Sequence, residues 1–265
     1  MGGLILNADD YALDEAVDRA ILDLAARKIV TAASAMVLSP RWREAAVAIA
    51  DRPIDVGLHL DLTSHFAAPV FPVASLRALI GKAYAGRLDV IRLRAAVDVQ
   101  LDRFEAELGR RPDFIDGHQH VHQLPVIRLE LLDALKRRYG SAAGAIGLRI
   151  CKSRRPRGLK AELIGALGAN RFAALAQGHP VNSDFLGVYG FSPRADLEAL
   201  WKAWLSHPEG EAPLAMCHVA VEGPSGGDPI RAARLREFAW LGSGAFADLC
   251  AEFSITPARW PVRVG

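Results

Sequence analysis

In Gly3-Leu-Ile-Leu-Asn-Ala-Asp-Asp10, a short apolar run ends on polar side chains. Apolar residues then recur at helical spacing from Leu13 to Ala25. This pattern predicts a buried strand, a turn and a helix, in that order. The same order repeats along the chain, and repeated strand–helix units are typical of a parallel sheet surrounded by helices.

The repeat predicts seven or eight strands and favours an α/β fold, a TIM-barrel-like (β/α) barrel, over an open doubly wound sheet. No Gly-x-Gly-x-x-Gly follows the first strand, which removes the usual indication of an open dinucleotide-binding sheet. Residues 63–88 are too long for an ordinary connection and are predicted to form a lid or binding loop. No linker divides the chain, so residues 1–265 are predicted to form a single domain.

The later strands are predicted at 30–38, 54–60, 113–118, 146–151, 185–188, 213–218 and 253–255, and the later helices at 41–51, 90–108, 125–140, 158–177, 192–205 and 229–242.

The composition is that of an ordinary soluble globular protein, with 51% hydrophobic and 23% charged residues. A formal charge of +2 does not suggest a nucleic-acid partner. The basic run Lys152–Lys160 is interpreted as a solvated loop, and the sequence leaves open whether it meets an anionic substrate or a membrane surface.

Three cysteines without Cys-x-x-Cys spacing, no signal sequence and no membrane-spanning stretch predict a cytoplasmic location. A homodimer is compatible with the sequence, which does not fix the oligomeric state.

The run Asp116-Gly-His-Gln-His-Val-His122 indicates a metal site. It contains three of the eight histidines of the chain, and imidazole is the commonest metal ligand. If the preceding strand continued through the run, positions 116, 118, 120 and 122 would share one face. The run lies where a strand is followed by a helix, which is the place where α/β proteins bind ligands.

Polar residues also follow three other predicted strands, at Asn7–Asp10, His59–Asp61 and Cys217–His218. In a barrel, the carboxyl ends of all strands open on one side, so these residues are predicted to converge. Adjacent carboxylates such as Asp9 and Asp10 point in different directions, which suits one to bind metal and its neighbour to handle protons.

Together, these motifs resemble the YdjC-like family of carbohydrate deacetylases, over nearly the whole chain and in the same order. The resemblance implies a distorted (β/α) barrel and one divalent metal ion, Mg or Zn, held by Asp10, His59 and His118. It also implies that Asp9 is the general base. A related histidine position makes His218 the predicted general acid. The predicted substrate-contacting residues are His120, His122 and Arg149, and for Arg149 the orientation of a carboxylate or a plain ion pair are alternatives.

The resemblance implies an enzyme that removes the acetyl group from an N-acetylated sugar or glycolipid and releases acetate and a free amine. Two alternatives stay open. The barrel could carry a metal-dependent hydrolase of another amide or of a phosphoester, because a fold does not fix a substrate. The same ligands could also form a closed, non-catalytic metal-binding or sugar-binding site.

Overall fold

The computed structural model describes residues 2–224 and 227–261, which form eight strands and ten α-helices. No helix in these ranges is long and apolar enough to cross a lipid bilayer. The strands are β1 (Gly2–Tyr11), β2 (Ala32–Ala35), β3 (Asp55–Leu60), β4 (Phe114–Gly117), β5 (Gly147–Leu148), β6 (Phe185–Leu186), β7 (Leu214–Cys217) and β8 (Ile255–Pro257). The helices are α1 (Glu15–Ala26), α2 (Trp42–Ile49), α3 (Leu76–Tyr84), α4 (Val90–Leu108), α5 (Ile127–Tyr139), α6 (Leu159–Ala166), α7 (Ala169–Leu175), α8 (Leu197–Leu205), α9 (Arg231–Leu241) and α10 (Gly244–Glu252).

The strands form one parallel sheet in the order β5-β4-β3-β2-β1-β7-β6, and β8 pairs with the start of β1. A single bridge between Leu148 and Val181 joins β5 to the segment that leads into β6, so the two ends of the sheet meet. The predicted α/β barrel is therefore confirmed. Its distortion lies at this seam, where the two short strands β5 and β6 face each other.

The side chains of each strand alternate between the helices and the barrel interior. In β1, Leu4, Leu6 and Ala8 pack in the large core under the helices, whereas Ile5 belongs to a second, smaller core. Because successive strand residues point to opposite faces, Asn7 and Asp9 lie on the same inner side as Ile5. The same alternation runs through the neighbouring strands.

The barrel interior is apolar at the amino end of the sheet and polar at the carboxyl end. The Phe114 and Trp260 rings stack 4.9 Å apart in the apolar end, and the glycines Gly57 and Gly147 leave the space that these rings occupy. The inward positions of the polar end are Asn7, Asp9, Ser34, His59, Asp116 and Arg149, and all six are buried. The six polar side chains at the carboxyl end therefore lie above a packed apolar layer of the barrel interior.

Several boundaries differ from the sequence predictions. The strand before the histidine run ends at Gly117, and His118–Gln123 form a 3₁₀ turn in which Gln119 and His120 adopt left-handed backbone angles. The predicted shared face of positions 116, 118, 120 and 122 is therefore wrong. The long connection of residues 63–88 contains the helix α3, and α10 was not predicted.

Two predicted helices also have different limits. The predicted helix 158–177 is divided into α6 and α7, because Gly168 has a φ of 131° and a Cβ there would overlap the Gln123 carbonyl. The helix predicted from residue 192 begins at Leu197, where the Asp196 side chain accepts a hydrogen bond from the Ala199 amide and caps the helix. The single-domain assignment stays a prediction.

The packing of Phe114 against Gly57 leads to a stability prediction. A Cβ at Gly57 would overlap the Phe114 ring, so we expect Gly57→Ala to lower the free energy of unfolding by about 1–3 kcal/mol. Gly81 lies in α3 with no atom within 4 Å of an added Cβ, so Gly81→Ala should stabilise the protein by about 0.5–1 kcal/mol. Urea unfolding of both variants measures the difference. Equal effects would show that the ring does not fill the space at Gly57.

Candidate metal centre

Three side chains from three strand ends meet at the polar mouth of the barrel. His59 Nε2 lies 3.3 Å from Asp10 Oδ1, and His118 Nδ1 lies 3.0 Å from the same oxygen. The three side chains each offer one ligand atom, and these atoms all lie within 4.8 Å of one another. The residues that the resemblance assigned to the metal therefore form one cluster in the structure.

Asp10 reaches this cluster because β1 is irregular near its end. The register between β1 and β2 shifts between Ala8 and Tyr11, and Asp10 has a φ of 70°. In a regular strand Asp9 and Asp10 would point to opposite faces. The irregularity turns the Asp10 carboxylate into the mouth, while Asp9 stays on the inner wall.

His59 is oriented toward the cluster by a second carboxylate. Its Nδ1 lies 2.6 Å from Asp116 Oδ1, and because a carboxylate accepts, Nδ1 is the donor and Nε2 faces Asp10. Burial lowers the pKa of His59, but the Asp116 and Asp10 carboxylates outweigh it and raise the pKa to about 10. Metal-binding histidines commonly have such a carboxylate partner.

The donor set fits a divalent cation. Two ligand atoms at about 2.1 Å from an ion are separated by about 3.0 to 3.4 Å for angles between 90° and tetrahedral. The observed separations of 3.3 and 3.0 Å from Asp10 Oδ1 agree with this range. Arg234 Nη2 donates to Asp10 Oδ2 over 2.6 Å, which leaves Oδ1 for the cluster. The His118 side chain is 21% exposed, so the cluster opens to solvent.

Asp9 lies beside the cluster and accepts hydrogen bonds from two residues. Arg149 binds it through both terminal nitrogens, at 2.8 and 2.6 Å, and Asn7 Nδ2 donates to Oδ1 over 2.7 Å. Burial raises the pKa of Asp9, but Arg149 outweighs this effect and holds the pKa well below its usual value. Asp9 is therefore ionised and fixed in orientation.

A second group of possible metal ligands has an arginine side chain in the position that an ion would take. Asp9, His59 and Asp116 also lie close enough to hold a cation. However, Arg149 Nη2 forms ion pairs with both carboxylates of this group, and Ser34 Oγ donates to Asp116 Oδ2 over 2.6 Å. The guanidinium occupies the position between these carboxylates, so of the two candidate groups found in residues 2–224 and 227–261 the one around Asp10 is left open.

His218 lies at the end of β7, with Nε2 4.0 Å from Asp9 Oδ2. Burial lowers the pKa of His218 to about 4, so the ring is neutral near pH 7. Its backbone amide donates to Glu237 Oε2 over 3.0 Å, and Tyr189 donates to Glu237 Oε1 over 2.7 Å. The Phe191 ring lies edge to face with the His218 ring, with centroids 4.9 Å apart.

The 3₁₀ turn sends the three histidines of the run in different directions. His120 Nδ1 lies 3.5 Å from Cys151 Sγ and its residue is partly exposed. His122 is fully buried and donates through Nε2 to the Arg149 carbonyl over 2.9 Å. Arg149 is also fully buried, so its side chain orients Asp9 and does not reach the surface. The predicted substrate contacts of these residues stay predictions.

A family model described as YdjC-like protein matches residues 3–252. The chain belongs to the YdjC-like family. It is 36% identical over 133 residues to the chitooligosaccharide deacetylases of Yersinia pestis (strain Pestoides F) and Yersinia pseudotuberculosis serotype O:1b (strain IP 31758). These alignments cover 47% of this chain and 52% of each relative, so the chain spans about half the length of the curated relatives it matches.

A solved structure shares the fold of this YdjC-like chain. It is a crystal structure from Enterococcus faecalis V583 of a protein described as a cellobiose-phosphate cleavage protein. The TM-score is 0.71 and the superposition covers 97% of both chains, at 24% sequence identity. This likeness confirms the barrel and carries no statement about the substrate.

Four residues of the centre were not assigned a role from the sequence. Ser34 and Asp116 lie on inward positions of predicted strands, and strand alternation could have identified both as neighbours of His59. Arg234 and Glu237 lie on α9, and they are both buried. The pattern of this helix gives no signal for them, because a charged pair three residues apart is typical of an exposed helix face.

The contact between His59 and Asp116 predicts a change in metal affinity. Asp116→Asn keeps the size of the side chain but removes the charge that orients His59, so we expect Zn²⁺ or Co²⁺ affinity to fall about 10–100-fold. Isothermal titration calorimetry measures the affinity. His65→Ala, which changes an exposed histidine outside the cluster, is the matched control and should bind like the wild type. Unchanged affinity in Asp116→Asn would contradict the role given to Asp116.

The raised pKa of the buried Glu237 side chain leads us to expect that stability depends on pH. Burial raises the pKa of Glu237 to about 7, although the hydrogen bonds from Tyr189 and the His218 amide oppose this shift. The folded protein therefore keeps this proton to a higher pH than the unfolded chain, whose glutamates titrate near about 4.3. This stronger proton binding by the folded protein stabilises it fully below the unfolded value of about 4.3. The stabilisation is lost as the pH rises through about 7.

Glu237→Gln should remove this loss. Between about pH 4.5 and 7, the unfolding free energy of the wild type should fall relative to that of Glu237→Gln by an amount on the order of 3 kcal/mol. Urea unfolding at several pH values measures the difference between the two proteins, in which the other titrating groups cancel. If the unfolding free energies of the two proteins changed with pH in parallel, Glu237 would not titrate in this range.

Proposed function

We propose that this chain is a divalent-metal-dependent hydrolase that removes the acetyl group from an N-acetylated amino sugar. The proposal rests on one observation: the cluster of Asp10, His59 and His118 lies at a solvent-open mouth with Asp9 and His218 beside it. The names of the curated relatives, chitooligosaccharide deacetylases, support the substrate class. An oligosaccharide and a glycolipid are both compatible with the site.

Asp10, His59 and His118 are the residues that would hold the cation, with Asp116 and Arg234 orienting two of them. When bound, a divalent cation supplies Lewis acidity, which acidifies water and stabilises negative charge on a carbonyl oxygen. Three protein ligands are typical of a catalytic centre that keeps room for water or substrate. The set of one carboxylate and two imidazoles accepts several divalent ions, Mg and Zn among them.

In this proposal Asp9 accepts the proton of the attacking water. Arg149 and Asn7 fix its two oxygens, so the carboxylate does not need to reorient when it acts. The same ion pair lowers the pKa of Asp9 and weakens it as a base, a cost that a divalent cation held by Asp10, His59 and His118 would offset. Because the pKa of Asp9 is held well below its usual value, its carboxylate is ionised near neutral pH and ready to accept a proton.

His218 is proposed to deliver a proton to the departing amine nitrogen. Its ring is neutral near pH 7, so the proton that it delivers comes from the reaction itself. Asp9 Oδ2 lies 4.0 Å from His218 Nε2, a distance that a small adjustment or one water molecule can bridge. Water loses one proton to Asp9, and the nitrogen gains one through His218 as the carbon–nitrogen bond breaks. The products are the free amine and acetic acid, which releases its remaining proton to solvent and becomes acetate.

Of the three predicted substrate-binding residues, His120 is the one with partial exposure at the mouth. We propose that His120 contacts the sugar. His122 and Arg149, both fully buried, would act on the substrate only through the groups that they position. Arg149 holds Asp9, and His122 holds the Arg149 backbone.

Acetate release from a panel of N-acetylated sugars and glycolipids tests the proposal. We expect release by the metal-loaded protein, loss of release with chelator, and recovery when Zn²⁺, Co²⁺ or Mg²⁺ is added back. His118→Ala should lose metal and activity together, whereas Asp9→Asn should keep the metal and lower kcat by about 10²–10⁴-fold. His65→Ala is the control with an intact cluster.

Other outcomes would assign a different function. Release of phosphate but no acetate from phosphorylated sugars would identify a phosphoester hydrolase. Tight metal binding without turnover of any substrate in the panel would identify a binding protein. Normal acetate release by His118→Ala would refute the metal centre itself. Because Asp9→Asn leaves Arg149 with one carboxylate partner fewer, its unfolding midpoint is measured in parallel, so that loss of rate is separated from loss of fold.

A further inference from the structure

Large apolar side chains are exposed mainly on one side of the molecule. Among the described residues seven of them are exposed, and Leu159 and Ile91 are the most exposed, at 91% and 85%. Val47 lies apart, on α2. The other six are in or next to the connections that follow β3, β4 and β5: Tyr84, Val90, Ile91, Leu129, Leu159 and Leu163.

These connections flank the mouth of the barrel on the side of β3, β4 and β5. Residues 72–92 lead from the carboxyl end of β3 to the start of α4, and residues 152–171 follow the carboxyl end of β5. Arg94 at the start of α4 pairs with Glu130 at the start of α5 over 3.0 Å. Gln123, which ends the turn that carries His118, donates to the Ile164 carbonyl of α6 over 2.7 Å. We call residues 72–92 and 152–171, together with Leu129 between them, the rim.

Positive charge is concentrated in the same segments. The rim segments contain ten Lys and Arg but two Asp and Glu, although the whole chain contains 32 and 30. Arg157 and Arg155 pair with Asp184 and Glu209 outside the rim. The other eight basic residues still exceed the two acidic ones by six, whereas the rest of the chain is net acidic. Exposed leucine and isoleucine side chains therefore lie among uncompensated basic groups.

We propose that the rim is a docking surface for an anionic lipid bilayer. Apolar side chains that enter the headgroup region, together with Lys and Arg that meet anionic lipids, are the two elements of peripheral membrane binding. Leu159 and Leu163 are one helical turn apart on α6 and project from the same side, so both can enter one interface. A second copy of the chain is a poor partner for this surface, because a symmetric contact would bring the same excess of positive charge against itself.

Docking through the rim would place the mouth of the barrel at the lipid surface. Lys160, next to Leu159, has Nζ 4.2 Å from the centre of the Phe191 ring, and that ring contacts the ring of His218. The proposed lipid contact is thus two side chains away from the proposed general acid. The inference does not depend on the reaction, because the exposed leucines and the charge distribution exist whether or not the site is catalytic.

Vesicle co-sedimentation tests the proposal with the full chain. We expect binding to vesicles of 3:1 phosphatidylcholine and phosphatidylglycerol at low salt, weaker binding at about 0.5 M NaCl because the charges are screened, and little binding to pure phosphatidylcholine. The double change Leu159→Ser with Leu163→Ser should lower the partition coefficient about tenfold or more, because it removes the side chains that enter the interface. Val47→Ser, which removes an apolar side chain of 75% exposure outside the rim, on α2, should bind like the wild type.

The substituted side chains are exposed, so the unfolding midpoint of each variant should stay close to that of the wild type. Three results would overturn the proposal. They are absence of binding to anionic vesicles at low salt, equal binding by the leucine variant, and equal binding to neutral vesicles. Sedimentation velocity is run in parallel, and a dimer that is lost in the leucine variant, without vesicle binding, would assign the rim to a second copy of the chain.

Discussion

The pairing of the buried Arg149 guanidinium with Asp9 and Asp116 is the interaction on which the mouth of the barrel depends. It joins the ends of β1, β4 and β5, and it places one positive charge between two carboxylates that are shielded from solvent. Buried carboxylates without such a partner would take up protons or push the strands apart. Asp116, held in this way, orients His59, so one guanidinium fixes both the proposed base and a proposed metal ligand.

The same interaction explains why, of the two candidate cation positions in the described part of the chain, one is filled by a side chain. Arg149 fills the space between Asp9 and Asp116, and the cluster around Asp10 is left open. Arg234, itself paired with Asp228, binds the outer oxygen of Asp10. Each of the two neighbouring carboxylates thus has its own guanidinium, and the irregular end of β1 separates them. Their proposed division into a metal ligand and a proton acceptor follows from these partners.

The sequence predicted the barrel and the convergence of its strand ends because both follow from the periodicity of apolar residues. It did not predict the turn at His118–Gln123 or the left-handed Asp10, since those backbone angles depend on contacts with distant segments. An extended run would have placed three histidines on one face, whereas the turn leaves His118 alone at the cluster. Arg234 and Glu237 could not be found for a related reason: their partners lie on other elements, and α9 has no periodic signal that marks its inner face.

Charge balance within the network bears on the valence of the ion. The hydrogen-bonded network around the cluster contains four carboxylates, those of Asp9, Asp10, Asp116 and Asp228, and two guanidiniums, those of Arg149 and Arg234. With neutral histidines the network has two uncompensated negative charges, and one divalent cation cancels them. Without a cation, the proton that His59 holds between Asp10 and Asp116 compensates one of the two. A buried network tolerates little net charge, so this count favours a divalent over a monovalent ion at the proposed centre.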